Sequence, residues 1–190
     1  MQKIISLFER DWDGDRGKVL DKVTAEAVWV VDGEGLATVM WDGTAALYQD
    51  GILWKRYTVK GARTPPEGWM AAQGAPDERT GQWPGWVPVG EGKSDEPYVE
   101  AFMRRVSVAE SQTYELIGPK VQGNPYTLGF HLLHAHGFSP LPNAPRTFDA
   151  LREYLTTHVI EGIVWHHKDG RMVKIKARDF GLEWPRKETK

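Results

Sequence analysis

Apolar residues in this chain come in short runs separated by Asp-Gly and Gly-rich turns, a pattern that predicts strands in quick succession. Residues 4–8 form the first such run, and the chain then turns acidic through Asp11-Trp12-Asp13-Gly14-Asp15. Alternating acids around a glycine suggest a calcium loop, but the bidentate glutamate that closes one is missing, so a solvated turn is expected. Val28–Val31 reads as a buried strand, and Asp32-Gly33-Glu34-Gly35 as the turn that follows it. Residues 37–40 form a β-like run that Trp41-Asp42-Gly43 is expected to fold back onto a second run ending at Tyr48. Gln49-Asp50-Gly51, between residues 45–48 and 52–57, signals another hairpin, so the expected sheet is antiparallel.

Residues 61–92 are rich in Pro, Gly and Trp, as in Trp83-Pro84-Gly85-Trp86-Val87-Pro88. The prolines forbid a long helix, and the interleaved tryptophans predict an ordered excursion packed on the body. Residues 97–112 carry Arg104 and Arg105 and lead into a strand over residues 113–118, then the turn Gly123-Asn124-Pro125-Tyr126 and a histidine-bearing strand or loop over 130–138. A helix is predicted over residues 147–158, with Thr147 as a possible cap and Phe148, Leu151, Tyr154 and Leu155 on one face. Residues 160–165 and 172–177 flank Lys168-Asp169-Gly170 as a final hairpin.

With 190 residues, 41% hydrophobic and 26% charged, the chain has the composition of one ordinary globular domain. A net charge of −2 gives no bulk electrostatic grip on nucleic acid, so such a partner needs a local basic site. The absence of cysteine removes disulfides and thiolate metal sites, and no apolar run reaches the ~20 residues of a membrane span. The expectation is a cytoplasmic protein without membrane contact, acting as a monomer.

Chemistry enters through five features in a definite order: Met40-Trp41-Asp42-Gly43; Arg56; Glu115 in Tyr114-Glu115-Leu116-Ile117-Gly118; Glu161 in Glu161-Gly162-Ile163-Val164-Trp165; and the alternating Lys174 and Lys176. Each has a plain structural reading: a hairpin turn, a stacked arginine, a Glu-Gly turn, a solvated strand edge. His131, His134 and His136 alternate as zinc ligands do, but no cysteine or second cluster completes such a site.

As an ordered set the five resemble the covalent nucleotidyltransferase superfamily of ATP-dependent ligases and capping enzymes, whose motifs run Lys-x-Asp-Gly, arginine, glutamate near glycine, Glu-Gly-hydrophobic-Val and hydrophobic-Lys-hydrophobic-Lys. The chain is more closely similar to the RNA ligase 1 family, through Pro84-Gly85-Trp86-Val87-Pro88-Val89, Glu115-Leu116-Ile117-Gly118, Gly123-Asn124-Pro125-Tyr126, His131-Leu132-Leu133 with His136-Gly137, Ile160-Glu161-Gly162-Ile163-Val164-Trp165-His166 and Gly181-Leu182-Glu183-Trp184-Pro185. It departs from the pattern where Met40 stands in place of the lysine, and where Val39 lacks the acceptor that some relatives offer to the adenine amine.

The resemblance implies an α+β nucleotidyltransferase fold, antiparallel sheets with flanking helices around an ATP cleft, as a single domain over residues 1–190 without a C-terminal OB-fold domain. It implies ATP and Mg2+ or Mn2+ as cofactors, and RNA with 5′-phosphate and 3′-hydroxyl ends as substrate. Position 40 becomes the nucleophile's place, with Lys174 and Lys176 on the α-phosphate and lowering a neighbouring amine's pKa by like-charge repulsion. Glu161 becomes the metal-side carboxylate, Glu115 a partner of the ribose hydroxyls, Arg56 a partner of the ribose or the RNA 5′-phosphate, and Asp42 a loop-orienting or metal-shell group. One of the histidines, His131 among them, or Phe130 lines the adenine pocket. Because the rest of the set is complete, Met40 reads first as a Lys-to-Met variant of a ligase; the alternatives are a naturally non-catalytic nucleotide binder and a tryptophan-rich interaction domain.

Overall fold

Short β-prone runs bounded by turns become twelve strands in the computed structural model, which describes residues 4–78, 80–104 and 111–185. They are β1 (Ile5–Ser6), β2 (Phe8–Arg10), β3 (Val19–Val23), β4 (Leu36–Met40), β5 (Thr44–Gln49), β6 (Ile52–Lys60), β7 (Met70–Ala71), β8 (Gln82–Pro88), β9 (Gln112–Ile117), β10 (Leu132–Ala135), β11 (Gly162–His166) and β12 (Met172–Lys176). The α-helices are α1 (Val28–Val31), α2 (Glu96–Arg104) and α3 (Phe148–Thr157). This is a mixed α and β chain with antiparallel sheets and few helices, as expected. The chain divides into two compact units, one holding Asp42–His136 and the other Ile4–Trp41 with Gly137 onward.

In the unit formed by Ile4–Trp41 and Gly137 onward, four strands lie in the order β1-β12-β11-β4. The predicted final hairpin is present, with Ile163 opposite Ile175 and Trp165 opposite Val173. Its second strand is not an edge, however: the N-terminal β1 runs parallel along it, pairing Ser6 with Lys174. Trp165, Ile163 and Ile175 are fully buried, as are Leu151 and Leu155 of α3. Phe8, Phe148 and Phe180 pack edge to face with centroids 5.0 to 6.3 Å apart, joining β2, α3 and the turn after β12. Thr147 precedes α3 as predicted, but its side chain makes no capping hydrogen bond.

Val28–Val31 is not the strand the sequence suggests. It is a helical turn that buries Trp29 and Val30 and leaves Val28 and Val31 at the surface. A run of four apolar residues carries no periodicity of its own, so tertiary contacts decide it. Arg146 donates Nη1 to the Val30 and Glu34 carbonyls at 2.7 and 2.5 Å and Nη2 to the Gly35 carbonyl at 2.9 Å, holding this turn and its exit.

Beside it, His167 lies 2.6 Å from Glu34 and 2.7 Å from Asp169, which also pairs with Arg171 at 2.8 Å. Glu34, and then Asp169, raise the His167 imidazole above its ordinary value, while the Arg171 backbone N–H leads the groups that hold Asp169 at about 2. The histidine's contribution to stability is therefore complete below ~6.5 and fades as pH climbs through the raised value. The aspartate's is complete above ~3.9 and fades as pH falls towards about 2. Glu34→Gln is expected to lower the His167 titration midpoint measured by NMR, and an unchanged midpoint would contradict this assignment.

In the unit Asp42–His136, six strands lie in the order β10-β9-β5-β6-β8-β7, with every neighbouring pair antiparallel. Asp50 and Gly51, both at positive φ (53° and 75°), turn β5 into β6 as the Asp-Gly signal predicts. The expected hairpin at Trp41-Asp42-Gly43 does not form. β4 pairs with β11, whereas β5 pairs with β6 and β9 in the other sheet. Gly43 lies so close to the Leu116 carbonyl that a Cβ could not fit there, so this glycine serves a close approach and not a two-residue turn.

Ala46, Leu53, Tyr114, Leu116 and Val121 on one side of this sheet pack against Tyr98 and Ala101 of α2. The Pro-, Gly- and Trp-rich excursion is ordered as expected, but it also contributes β8, which pairs with β6 over seven registered positions. Trp69 and Trp83 meet edge to face at 4.9 Å and donate their indole N–H groups to the Tyr57 and Gln73 carbonyls. Trp86 and Trp165 are 2% and 0% exposed, so much of the tryptophan content is internal and no broad aromatic surface is built from it.

Candidate active site

The first cluster arises from register. Met40 on β4 pairs with Gly162 on β11, which pairs with Lys176 on β12. Two steps along, Thr38, Val164 and Lys174 form the next row but one. Cross-strand partners project from the same face, and so do residues two apart, so Met40, Thr38, Lys174 and Lys176 share one side of the sheet. Gly162 leaves the middle of its row bare. A Cβ there would collide with the Ile175 carbonyl and lie 3.0 Å from Lys176 Cα, so only glycine fits at this point of the row.

Lys176 donates Nζ–H to Glu161 Oε1 at 2.5 Å, and Glu161 is only 6% exposed. The Ala177 N–H fixes the Glu161 carbonyl at 2.8 Å. Asp179 accepts the Lys176 backbone N–H at 2.9 Å and Arg10 Nη2 at 2.8 Å, anchoring the end of β12. Burial pushes the Lys174 ammonium below the ordinary lysine value, and Lys176 adds to this, while Glu161 and Asp179 oppose it. Burial and the neighbouring like charge both favour the neutral form of this amine. Thr38 Oγ1 lies 2.9 Å from His166 Nε2 on this face. Val39 projects from the other side with Ile163 and Ile175, and its N–H donates to the Ser139 carbonyl at 3.0 Å.

The second cluster lies in the unit Asp42–His136. Arg56 pairs with Trp86, Ala45 with Glu115, and Glu115 with His134. Lys55 pairs with Ala46 and Ala46 with Tyr114, so Arg56, Ala45, Glu115 and His134 alternate onto the face opposite α2. Ala45 is the small residue between the arginine and the glutamate. The Arg56 guanidinium sits 5.1 Å from the Trp86 ring centroid; burial lowers its pKa and the Glu115 charge opposes this. His136 bridges Glu115 Oε2 at 2.9 Å and Thr113 Oγ1 at 3.0 Å. Burial, and then His136, lower the pKa of His134.

Asp42 and Gly43 join this cluster through their backbone. The Asp42 N–H donates to Tyr126 Oη at 2.5 Å, Gln122 Nε2 donates to the Gly43 carbonyl at 3.2 Å, and a Cβ on Gly43 would lie 2.9 Å from Glu115 Cγ. His131 is 4% exposed, lies 2.5 Å from Glu100 through Nδ1, and accepts the Lys120 N–H at Nε2. Both its ring nitrogens therefore tie β10 to its surroundings. Phe130 keeps an exposed ring, with the Arg104 guanidinium 5.2 Å from its centroid. Arg105 lies outside the described residues.

The ordered residues thus form two sets, Met40, Glu161, Lys174 and Lys176 in one unit and Asp42, Arg56 and Glu115 in the other. Sequence reading missed the partners that hold them: Trp86 under Arg56, His136 on Glu115, and the Tyr126 hydroxyl on the Asp42 amide. Trp86, His136 and Tyr126 lay in segments that carried the family resemblance, but nothing in the sequence paired them with Arg56, Glu115 and Asp42. Among the described residues no group of three His, Asp or Glu side chains forms a metal cage. A donor set with single carboxylates suits magnesium or manganese, which keep waters and take phosphate oxygens, better than zinc.

A family model described as RNA ligase 1 matches residues 91–190. RNA ligase 1 of Danio rerio is 34% identical over 67% of this chain and 51% of its own length. The Mus musculus protein of the same name is 33% identical over 65% of this chain and 50% of its own. The chain therefore spans about half the length of these relatives.

Proposed function

The chain belongs to the RNA ligase 1 family, and from that premise we propose that it is an ATP-dependent RNA ligase domain of the nucleotidyltransferase type in which Met40 replaces the AMP-accepting lysine. The observation that carries this reading is the row Met40–Gly162–Lys176, with Lys174 on the same face and Glu161 bonded to Lys176. With lysine at position 40, its Nζ attacks the α-phosphorus of ATP, an N–P bond forms, and pyrophosphate leaves. An RNA 5′-phosphate oxygen then displaces the lysine to give RNA-adenylate. Finally the 3′-hydroxyl oxygen attacks the 5′-phosphorus, its proton is lost, and AMP leaves.

Lys174 and Lys176 offset charge on the transferring phosphate, and their positive charge would lower the pKa of a lysine amine at position 40. Glu115, held by His136, takes the ribose hydroxyls, and Arg56, stacked on Trp86, takes the ribose or the RNA 5′-phosphate. Asp42 orients its loop. Glu161 is the protein carboxylate that would hold Mg2+ or Mn2+, which would supply charge neutralisation at the phosphates. RNA is distinguished from DNA at the 3′ side, where a 2′-hydroxyl can be read.

Methionine has about the length of lysine but no nucleophilic nitrogen, so the first step stops while the last, which uses no enzyme nucleophile, remains open. The chain is expected to seal 5′-adenylylated RNA to a 3′-hydroxyl acceptor without added ATP, and added ATP should inhibit by competing for the site. A gel assay in Mg2+ or Mn2+, with a deoxyribose-ended acceptor in parallel, measures this. Absence of product together with ATP binding would favour the second reading, a naturally non-catalytic nucleotide binder, for which Met40 itself speaks. Equal use of the deoxyribose end would remove the RNA selectivity.

A further inference from the structure

We propose that Tyr126, with Gln122, is a positioning residue that sets the Asp42–Gly43 loop for the sealing chemistry; this rests on the ligase reading above. The loop is gripped at two backbone groups, one N–H and one carbonyl. Tyr126 Oη accepts the Asp42 N–H at 2.5 Å, and Gln122 Nε2 donates to the Gly43 carbonyl at 3.2 Å. From the other side, β9 presses on Gly43 through the Leu116 carbonyl, Ile117 Cγ2 and Glu115 Cγ, leaving no room for a Cβ. The loop that carries Asp42 and the strand that carries Glu115 are thus set against each other by contacts that allow little play.

The gripping turn is itself built at some conformational cost. Gln122, Asn124 and Thr127 all adopt positive φ, at 47°, 54° and 53°, where a β-branched threonine is rarely found. Asn124 closes the turn by accepting the Leu128 N–H and donating to the Leu128 carbonyl, both at 3.0 Å. The Val121 N–H bonds to the Gly118 carbonyl at 3.0 Å and the Asn124 N–H to the Val121 carbonyl at 2.8 Å, so the turn springs directly from the end of β9. Left-handed residues held by their surroundings gather where a side chain must be aimed. Here the aimed groups are a phenol and an amide, and their target is the backbone two and three residues beyond position 40.

A ring that only filled space would need no hydroxyl, so Tyr126→Phe separates the two roles, and Gln122→Ala, at an exposed position, removes the second grip. The 190-residue chain is compared with each variant by amide hydrogen exchange, by ATP affinity, and by the rate of sealing of 5′-adenylylated RNA. Tyr126→Phe should speed exchange at the Asp42 amide about tenfold and slow sealing about tenfold, with ATP affinity changed less than about twofold, because Glu115 and Arg56 keep their own partners. Gln122→Ala should slow sealing about threefold. Unchanged exchange at Asp42 overturns the clamp. Faster exchange with an unchanged sealing rate overturns the positioning role, and so does ATP affinity that falls in step with sealing, which marks a structural residue. If the unsubstituted chain neither seals nor binds ATP, the ligase reading fails and takes the positioning role with it, while exchange at Asp42 still reports whether the clamp exists.

Discussion

M40K is expected to turn a chain that binds ATP unchanged into one that carries a single AMP in phosphoramidate linkage. The expectation follows from what surrounds the substituted side chain. Position 40 pairs with a glycine that has Lys176 on its other side, so a lysine there would stand on the face that carries Lys174 and Lys176. It would also lie in the field of two other lysines, one already below its ordinary pKa through burial and like charge, which favours the neutral amine that attacks. Intact-mass measurement after incubation with ATP and Mg2+ reads the result directly: no added mass on the parent chain, and the mass of one adenylyl group on M40K. An M40K protein that stays unmodified would remove the nucleotidyl-transfer assignment, whatever its affinity for ATP.

The next largest effects are expected at the Lys176–Glu161 pair, studied in M40K. Lys176→Ala removes a cation from the phosphate and should slow adenylylation by about 10²–10³-fold, the size of effect seen when one preorganised charge-stabilising donor is lost. It also removes the 2.5 Å ion pair to the Glu161 carboxylate, which is 6% exposed. Losing a hydrogen bond between charged groups costs about 1.5–3 kcal/mol of stability, so a fall in the denaturation midpoint should accompany the loss of rate. Glu161→Gln separates the two, since an amide oxygen can still accept from Lys176. Its stability cost should be about 1 kcal/mol, while the rate falls by a similar 10²–10³-fold. Adenylylation at the M40K rate in Lys176→Ala would show that this strand does not handle the phosphate.

Much of the candidate site could be read from the chain before any coordinates, because its members are short motifs. Glu161-Gly162, Lys174 with Lys176, and Asp42-Gly43 each place two chemically informative residues within three positions, and strand alternation then tells which share a face. The Gln49-Asp50-Gly51 hairpin, the final hairpin and α3 were legible for the same reason, as their defining interactions are local. Local reasoning failed where a distant partner overrode it. Val28–Val31 has β-branched composition yet forms a helical turn, because Arg146, far along the chain, caps the carbonyls at its end and exit. Asp42-Gly43 resembles a hairpin turn, but β11 and β9 claim the two flanking strands for different sheets.

The sequence by itself determined the mixed antiparallel character of the chain, the identity and order of the candidate site residues, and the absence of an amine at position 40. These are properties of residue type and short spacing, and no packing can supply an amine that methionine lacks. Only the tertiary structure decided that Met40 and Lys176, remote in sequence, stand on either side of Gly162, because strand register depends on the hydrogen-bond ladders of three separate segments. It likewise decided that β12 is internal and not an edge, that His131 spends both ring nitrogens on Glu100 and Lys120, and that His136 holds Glu115. Each of these is a pairing between polar groups made adjacent only by folding, and a linear pattern carries no record of which donor will meet which acceptor.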